Sequence, residues 1–62
     1  MEKPVVKLIG QDGNVFNLIG LTIRALKKAG QSEQSKEFSA KAFGCASYGE
    51  VLNLIQEYAD VE

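Results

Sequence analysis

Cys45 is the one thiol in the chain, set between Gly44 and Ala46, and there is no histidine anywhere to take its proton. A cysteine becomes a nucleophile when an electropositive neighbour or a helix end stabilises its thiolate. The helix start that follows Cys45 offers little of this, so Cys45 reads as a small, half-buried hydrophobe. With one cysteine and no histidine, neither an intramolecular disulfide nor a Cys/His zinc site can be assembled within one chain. Glu57 and Asp60 are close in sequence, but they belong to a solvated face rather than an acid–base pair, and so short a chain has little volume to enclose a substrate. The expectation is a protein that is not an enzyme, with no catalytic, cofactor-binding or metal-ligating residue and no cofactor.

A second candidate is the joint Gly10-Gln11-Asp12-Gly13-Asn14. A strand–glycine–helix junction can cradle phosphate, because helix N-terminal amides are free and glycine lets the backbone come close. Phosphate loops, however, need G-x-G-x-x-G or G-x-x-x-x-G-K-[ST], and neither is present. Asp12 would also repel an anion. The joint is expected to be a turn, with Asp12 or Asn14 capping the helix that follows.

Charge is the third. The formal total is −1, yet it is unevenly spread. Residues 21–41 carry Arg24, Lys27, Lys28, Lys36 and Lys41 against Glu33 and Glu37, while residues 50–62 carry Glu50, Glu57, Asp60 and Glu62 with no base. Such runs usually form solvated faces, here of two helices that partly attract each other. The alternative is a nucleic-acid-binding accessory protein using the basic end of the first helix. Against it stand the lack of a helix-turn-helix pattern, of several exposed aromatics for stacking, and of a positive balance.

These residues must be positioned by very few elements. A chain of 62 residues forms one domain, residues 1–62, and at this size folding buries only roughly 60% of the unfolded surface. Apolar residues make up 45% and charged residues 24%, which is the balance of a globular chain. No run approaches the ~20 apolar residues that span a bilayer, and Met1-Glu2-Lys3-Pro4 lacks the apolar stretch of a secretion signal, so a cytoplasmic protein with no membrane partner is the default.

Pro4 to Ile9 is β-branched and favours a strand, with Val6 and Leu8 on one face and Val5, Lys7 and Ile9 on the other. At ~100° per residue, Val15, Leu18, Ile19, Thr22, Ile23, Ala25, Leu26 and Ala29 share a face, with Phe16 at its edge and Asn17, Arg24, Lys27 and Lys28 opposite. Lys27 and Lys28 suit a helix C-terminus, and Gly30 suits the left-handed residue that ends it. Ser32 or Ser35 is expected to cap a shorter helix with Phe38, Ala42 and Phe43 inside. Ser47-Tyr48-Gly49-Glu50 matches a capping box ahead of a third helix whose apolar face is Tyr48, Val51, Leu52, Ile55, Tyr58 and Ala59. Val61 is placed to add a short C-terminal strand beside the first. The fold class is α+β: an N-terminal strand, three helices and a short C-terminal strand completing a two-stranded sheet.

The stretches "LIGQDGNVFNLIG" and "RALKKAG" and the ending "ADVE" resemble a family of small uncharacterised bacterial proteins with a D-G-N turn, an R-A-L-[KR]-[KR]-A-G helix end and a D-V-E terminus. Gly13, Asn14, Gly20, Arg24, Ala25, Leu26, Ala29, Gly30, Tyr48, Asp60, Val61 and Glu62 carry the likeness, which covers nearly the whole chain. The middle, "EQSKEFSAKAFGCAS", is less acidic than the family pattern. The resemblance implies a fold and supplies no activity or functional residue.

The function expected is therefore that of a small interaction or accessory module, binding a protein partner or a second copy of itself. Leu21 stands apart from the apolar stripe of the first helix, and Leu21, Arg24 and Lys28 form a continuous strip at i, i+3 and i+7. That strip, an apolar centre bordered by charge, is the expected interaction surface, widened by Leu54.

Overall fold

The structure is a computed structural model that describes residues 3–8 and 13–62. Ile9 as the end of the first strand, Gly10 to Asp12 of the expected turn, and Asp12 as a helix cap lie outside the described residues. The elements run β1 (Val5–Val6), α1 (Val15–Lys28), α2 (Ser32–Ala42), α3 (Tyr48–Tyr58) and β2 (Asp60–Val61). This is the expected α+β arrangement.

Each end of α1 is set by local chemistry. Asn14 has extended backbone and its Oδ1 accepts from the Phe16 N–H at 2.8 Å, satisfying one of the free amides of the first turn. At the other end Gly30 takes φ 79°. Its N–H donates to the Lys27 carbonyl at 3.1 Å and the Gln31 N–H to the Leu26 carbonyl at 2.8 Å, the paired bonds of a Schellman motif. Lys27 and Lys28 occupy the last turn, where the helix dipole favours cations.

Capping differs between the other two helices. Gln31 occupies the cap position of α2, so neither Ser32 nor Ser35 caps it. Ser35 lies inside the helix instead, buried, with its hydroxyl donating to the Ser32 carbonyl at 2.7 Å. The Schellman bonds bring the chain out of α1 already turned, and α2 begins within one residue of them. In α3 the capping box is present in part. Ser47 Oγ accepts from the Glu50 N–H at 3.2 Å, while the Glu50 carboxylate accepts from the Ser47 hydroxyl at 3.3 Å rather than from its backbone.

From Ala59 the chain passes straight into extended backbone, φ −149° and ψ 155°, and β2 pairs in parallel with β1, Val5 opposite Asp60 and Val6 opposite Val61. Asp60 N–H donates to the Pro4 carbonyl and Glu62 N–H to the Val6 carbonyl, both at 2.9 Å, and Leu8 N–H donates to Glu62 at 2.7 Å. Parallel strands need a long crossover, and the three helices provide it. Pro4 takes part through its carbonyl alone, so its missing N–H costs nothing.

Helix α1 packs on both α2 and α3. The domain is 15 Å across its shortest axis, room for two layers of backbone with one core layer between. That layer contains Val6, Leu18, Ile19, Leu26, Phe38, Val51, Leu54 and Ile55, with Thr22 also buried and its hydroxyl donating to the Leu18 carbonyl at 2.9 Å. Val6 points in and Val5 out, as the alternation requires.

Four expected placements change. Ala29, expected on the apolar face of α1, is exposed at its C-cap, just past the last helical turn. Phe43 is 63% exposed: it lies five residues after buried Phe38, about 140° round the helix from it at 100° per residue. Leu54, expected to widen an exposed strip, is only 8% exposed and belongs to the core; it is three residues after Val51 and one before Ile55, on the face α3 turns inward. Tyr48, expected on that inner face, is 46% exposed because the first residue of α3 lies beyond the edge of its neighbours.

Candidate functional site

Three aromatics meet where three helix ends converge. Phe16 is the second residue of α1, its backbone held by Asn14. Phe43 is the C-cap of α2, its N–H donating to the Ser39 carbonyl at 3.2 Å. Tyr48 opens α3 behind its Ser47 cap. The Phe16 and Phe43 rings lie 6.2 Å apart with planes inclined by 32°, within the range of favourable aromatic pairs. The Tyr48 hydroxyl lies over Gly13, 3.8 Å from where a β-carbon would stand.

Between these rings is an open groove of about 310 Å³, lined by Val15, Phe16, Phe43, Cys45, Tyr48 and Val51 among others, none of the lining residues being charged. Cys45 is half-buried on its wall, its thiol donating to the Lys41 carbonyl at 3.4 Å. The groove can hold apolar groups and offers the Ser47 and Tyr48 hydroxyls at its rim. No carboxylate, lysine or arginine is among its lining residues. The sequence pointed to the core for Phe43 and Tyr48 and to a stripe edge for Phe16. The signal that would have found them is their position at helix ends, where neighbouring elements cover one side only.

The expected strip fares differently. Arg24 and Lys28 are exposed, but Leu21 is half-buried and packed on the core, so the strip lacks a free apolar centre. The basic residues are instead gathered elsewhere. Lys27 on α1 and Lys36 on α2 border one shallow groove of about 390 Å³, with Ile23, Ser35, Ser39 and Ala40 completing it. Lys41 is separate: its ammonium pairs with Glu37 at 3.1 Å and lies 5.7 Å from the centre of the Tyr58 ring.

Tyr58 closes that cluster by donating its hydroxyl to Glu37 Oε1 at 2.7 Å. The hydrogen bond from Tyr58, and then Lys41, hold the Glu37 carboxyl below its ordinary value. Hydrogen bonding with Tyr58 and Glu37 raises Lys41, and burial followed by the Glu37 hydrogen bond raises Tyr58. The cluster ties α2 to α3. Among the described residues no three His, Cys, Asp or Glu side chains come together, and no helix is long and apolar enough to cross a membrane.

Fold and surface define a three-helix α+β domain closed by a parallel two-stranded ribbon. Comparisons with protein-family models, with curated proteins and with solved structures find no match to the chain.

Proposed function

We propose that this chain is a small non-catalytic interaction module that docks a protein partner in the groove between Phe16, Phe43 and Tyr48. The observation that carries the reading is the exposure of Phe16 and Phe43, 67% and 63%, side by side. At 150–250 Å² per aromatic side chain, the three rings leave on the order of 350 Å² of apolar surface to water, as much as the largest patch on many monomers. Folding does not require this, because these rings sit outside the core layer. An aromatic cluster rimmed by hydroxyls suits the anchoring part of an interface. Its area, below the roughly 800 Å² per partner of a standard interface, suits a single apolar ridge and a transient contact.

The setting proposed is the bacterial cytoplasm, on the resemblance to small bacterial proteins. A partner seated on Leu21, Arg24 and Lys28 draws less support, since Leu21 is half-buried. Nucleic-acid contact also draws less: Lys41 is engaged by Glu37, and Phe16 lies eleven residues from Lys27, about 16 Å along α1, too far to stack bases beside the basic groove.

The test is capture from cell extract on immobilised wild-type protein and on a Phe16→Ser, Phe43→Ser double variant of unchanged circular dichroism. Partners retained by the first and lost by the second support the reading. Identical retention by both would sink it.

A further inference from the structure

We infer that the Lys27–Lys36 groove receives the acidic outer ridge of α3 from a second copy of this chain. The groove and the ridge are chemically opposite surfaces of one molecule. Helix α1 contains Arg24, Lys27 and Lys28 and no acid; α3 contains Glu50 and Glu57 and no base. Glu50, Asn53 and Glu57 are exposed and recur at i, i+3 and i+7, a single line along α3. Lys27 and Lys36 stand on two different helices and both line the groove, together with the half-buried Ile23 and the exposed Ala40.

Among the described residues none of these charges is neutralised inside the monomer, although the Glu50 carboxylate accepts from the Ser47 hydroxyl. Among the described residues, the ion pair is Lys41 with Glu37, and neither Arg24, Lys27, Lys28 and Lys36 nor Glu50 and Glu57 forms one. The two helices attract across the sequence, yet they meet through their apolar sides and turn their charged faces outward. A helix laid along a two-helix groove is a recurring recognition mode, read through residues at this spacing. The occupant favoured is therefore a second copy, because the complementary surface is carried by the chain itself.

The contact is weak and salt-dependent. Helix α3 is about 16 Å long, and one ridge of it covers less surface than a stable dimer needs. Charge pairs at such a rim act strongly at low ionic strength and are screened once the Debye length falls to a few ångströms. This surface is separate from the Phe16–Phe43–Tyr48 groove, and its test does not depend on that reading.

Sedimentation of the wild-type protein over a concentration series, in about 0.02 M and about 0.5 M salt, decides first. The average mass is expected to rise with concentration in low salt and return to that of one chain in high salt. Wild-type protein that stays monomeric throughout overturns the proposal. Charge reversal decides the geometry: Lys27→Glu with Lys36→Glu, and separately Asn53→Lys with Glu57→Lys, each weakens self-association by about tenfold or more, and an equimolar mixture of the two restores it. Glu50 is left in place because it accepts from Ser47 at the helix cap. Association that survives either reversal, or that the mixture fails to restore, overturns the assignment. So does a monomeric wild type that binds a short nucleic-acid duplex and loses it in the lysine variant.

Discussion

The Tyr58 hydroxyl and the Glu37 carboxylate meet at 2.7 Å across 21 residues of sequence, joining the last residue of α3 to the middle of α2. Glu37 is held below its ordinary value of 4.5, first by this hydrogen bond and then by Lys41. A carboxyl depressed in the folded state contributes stability in full above its unfolded value and loses it as pH falls through the lowered one. Melting temperature should therefore drop below about pH 4.5 more steeply in wild type than in Tyr58→Phe, which keeps the ring against Phe38 at 5.5 Å but releases Glu37. Coincident acid limbs for the two proteins would remove the hydrogen bond from the account. At the alkaline side the signs reverse: Tyr58 and Lys41 are both raised, so their contribution is intact at neutral pH and fades above about pH 10.

Two glycines, one inside α1 and one just past its end, should respond in opposite directions. Gly30 has φ 79° with open space around it, so Gly30→Ala pays only for the left-handed backbone, roughly 1 kcal/mol. Gly20 lies inside the helix, exposed, with nothing within 4 Å of a new β-carbon. Gly20→Ala should stabilise by about 0.5–1 kcal/mol. Denaturant midpoints of the two variants on either side of wild type would confirm both assignments.

Phenylalanines separate core from surface in the same way. Phe38 is fully buried, and Phe38→Ala should cost about 3–5 kcal/mol, comparable with the roughly 3–9 kcal/mol that a domain of this length has in total. That variant should melt far below wild type by circular dichroism. Phe43→Ser, at an exposed position, should melt close to wild type. A large loss at Phe43 would mean that its ring is needed for folding rather than free for a partner.

The start of α1 should ignore anions. Asn14 already occupies the Phe16 amide, and Asp12, two residues earlier in the sequence, is negatively charged. Titration with phosphate, sulfate or a nucleotide is expected to leave the amide resonances of Gly13 to Phe16 in place. Saturable, localised shifts at millimolar ligand or below would revive the phosphate cradle.

Much of the architecture was legible because it is local. Asn14, Gly30 and Ser47 act on backbone groups two to five residues away, so their residue types announce helix ends wherever the chain goes. The 3.6-residue period of α1 likewise placed Leu18, Ile19, Thr22 and Leu26 inward. The candidate site was not legible in this way. A sequence period says which residues share a side of a helix, but burial at a helix end depends on what another element places there, and Phe16, Phe43 and Tyr48 are left exposed.

What the sequence alone determined, then, is the order of the helices, both ends of α1 and the start of α3, together with the charge contrast between α1 and α3, since each follows from neighbours along the chain. The tertiary structure decided the rest. It placed Asp60–Val61 parallel to Val5–Val6, buried Leu54, half-buried Leu21, and brought Glu37 to Tyr58 and Lys27 to Lys36. Each of these depends on how three helices pack around one thin core layer, a balance of apolar area and shape among residues far apart in sequence that no local pattern records.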